Sequence, residues 1–127
     1  MTTRALVGLA SALEAATGVV LVSTPKLVSH FLLGADLSGA GIAVGRVGGF
    51  ALFSLAISCW PHAKGVKLHA IWVLFVYNLL AALYLAYLRA SGEFDGHLLW
   101  PVAAVHGFLA VSLALSAYHN GARSNAV

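Results

Sequence analysis

Residues 66–88, VKLHAIWVLFVYNLLAALYLAYL, decide the class of this protein. Past Lys67 and His69 near its start the run carries no charge. A helix of this length, rising ~1.5 Å per residue, covers the roughly 30 Å of a hydrocarbon core. Working outward, comparable apolar runs occupy residues 5–22, 40–60 and 98–118. None alternates with a period of two, so lipid-facing barrel strands are disfavoured. Backbone groups in lipid must be paired within their own segment, and a helix does that. The whole chain agrees, being 61% hydrophobic and 9% charged over 127 residues, where a soluble domain carries roughly 25% charged residues. So short a chain has too much surface for its volume to hide that much apolar side chain from water. The expectation is one membrane domain over residues 1–127, an all-α polytopic four-transmembrane-helix bundle.

The breaks between runs fit this reading. Ser23-Thr24-Pro25 stops the first helix and can start another. Residues 26–33 are too short to span, and Leu27, Val28, Phe31 and Leu32 suit a short interfacial helix. Residues 34–39, 61–65 and 91–96 are the remaining connections, and Pro101 falls in the first turns of the fourth span, where proline is tolerated. Met1–Arg4 resembles a short basic leader, but Glu14 interrupts the apolar stretch and no Ala-x-Ala site follows, so the first span is expected to be retained. Basic residues set the orientation. Arg4, Lys64, Lys67 and Arg123 fall on one side without an acid, whereas Lys26 and Arg89 share the other with Asp36, Glu93 and Asp95. The positive-inside bias places both termini in the cytoplasm, and for a bacterial inner membrane residues 26–39 and 91–96 are then periplasmic.

Each run carries one conspicuous polar residue: Glu14, Arg46, Asn78 and His106. Ionisable groups in a bilayer cost about 2.5 kcal/mol or more, so each needs a reason. At ~1.5 Å per residue, Glu14 lies ~13 Å, Arg46 ~9 Å and His106 ~12 Å inside the same end of their spans, with Asn78 at ~15 Å. Shared depth is what a polar cluster would show, with Tyr77 beside Asn78. Small neighbours point the same way: Ala10, Ser11, Thr17 and Gly18 around Glu14, and Gly41, Gly45 and Gly49 at the four-residue spacing that lets helices approach closely. Two readings stay open. Glu14 and Arg46 form a buried ion pair that fixes packing, or the cluster lines a pocket for a polar head group or a proton path.

Other features carry less. Cys59 is the lone cysteine, so the chain holds no internal disulfide or thiol-pair redox chemistry. A bis-histidine haem needs ligands at matched depth, and His69 and His106 are not matched. His62, His69, His119 and Cys59 gather near the cytoplasmic side as weak metal candidates, but their spacing follows no zinc pattern. The tryptophans and tyrosines near span ends form an ordinary aromatic belt. No basic stripe points to nucleic acid, no glycine loop follows a strand, and no HExxH or serine elbow occurs. Neither haem nor metal is favoured, and nothing spells out an enzyme.

The runs Thr17-Gly18, Pro25-Lys26-Leu27, Leu32-Leu33-Gly34 and Gly45-Arg46-Val47-Gly48-Gly49 resemble the first half of the DoxX-like small four-helix membrane proteins. The resemblance covers about half the chain. It implies a four-helix bundle serving as a small partner of membrane redox proteins, some of them quinone-linked, and matches only Arg46 and its glycines as positions. Glu14 in the first of four helices is also similar to the single membrane carboxylate of small multidrug exporters, although Arg46 at that depth would repel a cationic drug. The function expected first is therefore an accessory subunit or binding module. It would lie in a bilayer, within a membrane protein complex or a homo-oligomer, with a pocket for a quinone or lipid-like ligand. A proton-coupled transporter acting through Glu14 and a purely structural scaffold are the alternatives.

Overall fold

The computed structural model describes residues 1–62 and 65–124, with residues 120–124 by backbone alone. Lys64 and the Arg123 side chain, two of the cations used for orientation, lie outside the described residues. Five helices follow in order: α1 (Thr3–Ser23), α2 (Pro25–Leu33), α3 (Gly39–Cys59), α4 (Leu68–Ala90) and α5 (Leu99–Ser124). All but α2 are long and apolar enough to cross a membrane. The protein is an integral membrane protein of all-α class, and the short helix after the first span is present.

Local chemistry sets the element ends. Thr2 caps α1 by accepting a hydrogen bond from the Ala5 amide. Thr24 breaks the chain, and Pro25 opens α2 at the first helical position, where its missing N–H costs nothing. Gly34 closes α2 with a left-handed φ of 70°, a conformation glycine adopts without a Cβ penalty. Ser29 then donates to the Ala35 carbonyl at 2.6 Å, tying down the turn.

The bundle has two distinct ends. At one, the Thr3 and Ser116 hydroxyls meet at 2.8 Å, bringing the start of α1 beside the late turns of α5. At the other, the Leu98 amide donates to Phe31 O at 3.1 Å, and Gly96 is buried against the backbone of Leu32. The segment entering α5 therefore rests on α2.

Packing is uneven around the bundle. The closest associations are α1 with α3 and α4 with α5, while α1 also meets α2, α4 and α5. The apolar core joins Leu6, Val7 and Ala10 of α1 to Ile71 and Leu74 of α4 and Leu109 and Leu113 of α5, with Cys59 at the end of α3. The α1–α3 contact is nearly backbone on backbone. A Cβ on Gly18 would stand 2.7 Å from Gly49 O, and one on Gly49 would stand 2.7 Å from Gly18 O. Gly45 continues the seam against Pro25 and Leu21, whereas the nearest neighbour of Gly41 is Leu37 of the preceding connection.

This seam makes a direct prediction. Gly49→Ala and Gly48→Ala gain the same helix propensity, but only the first pushes a methyl into a neighbouring backbone; at Gly48 the nearest atom is an ordinary 3.7 Å away. Unfolding in mild detergent should find Gly49→Ala less stable than Gly48→Ala by about 2 kcal/mol, the usual scale of overpacking. Equal stabilities would rule out the close approach.

Candidate functional site

The polar cluster lies one helical turn beyond the apolar core. Glu14 follows Ala10 by four positions, Asn78 follows Leu74 by four, and His106 precedes Leu109 by three, so each polar side chain stacks on a core residue of its own helix. Three helices, α1, α4 and α5, contribute to it.

The hydrogen bonds fix the geometry. Asn78 is fully buried, and its Nδ2 donates to Leu74 O at 2.9 Å. Its Oδ1 therefore faces away from that carbonyl and meets His106 Nδ1 at 2.8 Å. A carbonyl oxygen only accepts, so His106 Nδ1 must be the donor and carry the proton. His106 Nε2 is left without a hydrogen-bond partner among the described residues. Tyr77 sets its ring edge against the imidazole, with centroids 5.8 Å apart at 81°.

Glu14 occupies the centre of this arrangement and is 0% exposed. Its Oε1 stands 3.9 Å from His106 Nδ1, and Tyr77 and Asn78 flank the carboxyl group. Neither carboxyl oxygen, nor the buried hydroxyl of Ser11 one turn earlier on α1, meets strict hydrogen-bond geometry within the described residues, although the Tyr77 and Asn78 side chains lie close enough to act on the carboxyl. Leaving such groups unmatched in an apolar interior typically costs about 1–3 kcal/mol each. Ser11 belongs to the cluster although its residue type alone did not mark it; the signal was its place three residues before Glu14 on the same face.

Arg46 is not part of the cluster. It is exposed, and no carboxylate lies within 4.0 Å of it among the described residues, so the Glu14–Arg46 pair of the first of the two readings is not formed. The cause is the glycine seam. With Gly45 and Gly49 turned to α1 and α2, the next residue points about 100° further round the helix. The register of the seam separates them as well: Gly45 packs on Leu21 and Pro25, so Arg46 lies about two helical turns from Glu14 along the bundle.

A groove approaches the cluster from the α2 end. About 350 Å³ in volume, it runs between Thr17 and Val20 of α1, Val28 and Phe31 of α2, and Val102 of α5, with His106 at its inner end. Apart from Thr17 its walls are otherwise apolar, and His106 is half-buried there with 15% of its side chain exposed. The imidazole thus touches both the groove and the buried carboxyl.

The weak metal candidates are divided. Cys59, His62 and His69 border a small cavity of about 30 Å³, while His119 lines a separate vestibule of about 790 Å³ with Thr3, Arg4 and Ile71. That vestibule is the larger space, yet it lies at the far end from the polar cluster and beside residues whose side chains are not described. Among the described residues no three His, Cys, Asp or Glu side chains come close enough to share a metal ion.

No family model, curated protein or solved structure matches this chain. The likeness to DoxX-like proteins rests on the residue pattern of its first half.

Substitutions separate the roles within the cluster. Glu14→Met keeps the volume and removes an unmatched polar group, so it should leave the protein as stable or raise its stability by about 1–3 kcal/mol. Asn78→Leu strands the His106 Nδ1 proton and should cost a similar amount. Denaturation of both variants in the same detergent checks this, and a marked loss on Glu14→Met would show that the carboxyl has a structural partner.

Proposed function

We propose that this protein is a membrane binding module that holds an amphipathic, quinone- or lipid-like molecule in the groove between α1, α2 and α5. The observation that carries the reading is the combination of apolar walls with one polar group at the inner end. Ligand sites are mostly apolar hollows in which a few placed polar groups fix orientation, and here the polar group is His106, with Nδ1 committed to Asn78 and Nε2 unused. An apolar chain would lie against Val20, Val28 and Phe31, and a carbonyl or hydroxyl head would turn to the imidazole.

An accessory role beside a membrane redox complex agrees with this reading, since such a subunit stores or presents a ligand without performing chemistry. In a bacterial inner membrane the distribution of basic residues would favour both ends in the cytoplasm. A fluorescent-protein fusion after Val127 should therefore fluoresce in a bacterial host, and an alkaline phosphatase fusion there should stay inactive. The reverse pattern would invert the orientation.

One observation favours a second reading, proton-coupled transport through Glu14. Arg46 stands off the cluster, so the positive charge that would repel a cation there is removed. The carboxyl is nonetheless closed off from the groove by His106, and this reading ranks second.

Ala16 borders the groove and is exposed, so Ala16→Trp fills the space without disturbing the core. Native mass spectrometry with a short-chain ubiquinone analogue and with a fatty acid should show binding to the parent chain and little to Ala16→Trp. His106→Leu should weaken it roughly tenfold, the scale of one hydrogen bond. Equal retention by all three proteins would sink the groove as a binding site.

A further inference from the structure

A second cavity lies between the α1–α2 corner and α3. It holds about 380 Å³ and is lined by Ser23, Thr24, Pro25, Lys26, Ile42 and Arg46, with Leu27 at its edge. Two cationic side chains therefore border one space, and among the described residues neither has a carboxylate within 4.0 Å. Asp36, the acid nearest in sequence, stands instead 3.9 Å from His30.

Position makes the missing counter-charge matter. Arg46 is seven residues into α3, ~10 Å along a membrane-crossing helix. A guanidinium at such a depth is costly unless it reaches the headgroup layer or an anion. The Ser23 and Thr24 hydroxyls donate to Val19 O at 2.8 Å and Val20 O at 3.1 Å, so the two cations are what the cavity offers an anionic ligand. Their mutual placement is held by packing. A Cβ on Gly45 would stand 3.3 Å from Pro25 Cβ, so the small residue lets the start of α2 lean on α3 beside Arg46.

We propose that Lys26 and Arg46 form a binding site for the headgroup phosphate of an anionic phospholipid. The planar guanidinium donates paired hydrogen bonds to phosphate oxygens, and Lys26 adds a point charge from the short helix α2. Leu27 and Ile42 provide the apolar wall on which the first carbons of the acyl chains lie. The site is separate from the groove ending at His106 and stands or falls independently of it.

Native mass spectrometry of the full chain with phosphatidylglycerol and phosphatidylcholine tests the assignment. Phosphatidylglycerol should be retained in preference. Lys26→Gln and Arg46→Gln should each lower its affinity about fivefold, the effect of one basic residue near a charged membrane surface, while Arg46→Lys keeps most of the binding and His106→Leu keeps all of it. Inorganic phosphate at millimolar concentration should not displace the lipid. Displacement would instead make this a free-phosphate site and overturn the proposal. Equal retention of both lipids, undiminished phosphatidylglycerol binding in the Lys26→Gln/Arg46→Gln double variant, or loss in His106→Leu would overturn it as well. Should Arg46→Gln fail to fold by circular dichroism, Lys26→Gln on the exposed face of α2 decides the question alone.

Discussion

The hydrogen bond between His106 Nδ1 and Asn78 Oδ1, 2.8 Å long, organises the interior of this bundle. It joins α4 to α5, two helices that pack closely along their length. Because Asn78 also gives its Nδ2 to its own helix, the amide cannot rotate, and the imidazole facing it cannot turn over without losing its partner. A ring held in this way presents its second nitrogen in a constant direction. The groove beyond it thus ends on a fixed polar group rather than on a mobile one, and fixed polar groups give a binding site its orientation.

The contact between α1 and α3 works by the opposite means, almost without side chains. Gly18 and Gly49 bring two backbones together, the packing available in lipid, where apolar side chains gain little by leaving one hydrocarbon environment for another. Its consequence reaches beyond packing. By turning the Gly45–Gly49 face inward it fixes which residues of α3 look elsewhere, and Arg46 is among them. One steric choice therefore denies Glu14 a counter-ion and gives the α1–α2 corner a cation.

The fold was legible because its cause is one-dimensional. Run length against bilayer thickness needs only a count of residues, and Pro25 and Gly34 marked α2 by their backbone requirements. Depth counted along a run brought Glu14, Asn78 and His106 into one layer, where they are found together, but it missed the register between α1 and α3, which sets Arg46 about two turns away. Rotation about a helix axis was not readable from one residue's neighbours. Arg46 sits beside two seam glycines in sequence, yet adjacent residues on a helix diverge by about 100°. Gly41 shows the same limit. It continues the four-residue spacing, but its nearest neighbour is Leu37 of the preceding connection rather than α1. Ser11 was hidden for another reason, since an unmatched hydroxyl is recognised only once its surroundings are known.

Burial in this protein follows from topology more than from residue type. Helix α1 is in contact with every other helix, whereas α3 leans mainly on α1. A polar residue midway along α1 is enclosed whatever its chemistry, and one on α3 keeps a lipid-facing side however well it would pair. Glu14 and Arg46 have opposite charge, and counted along their own runs they share a depth, but the seam sets Arg46 beside Leu21 and Pro25, about two turns away. What also separates them is that one belongs to the central helix and the other to a peripheral one, so enclosing Arg46 beside Glu14 would require unmaking the glycine contact that attaches α3 at all. The cost of an unmatched carboxyl is thus built into the arrangement of helices.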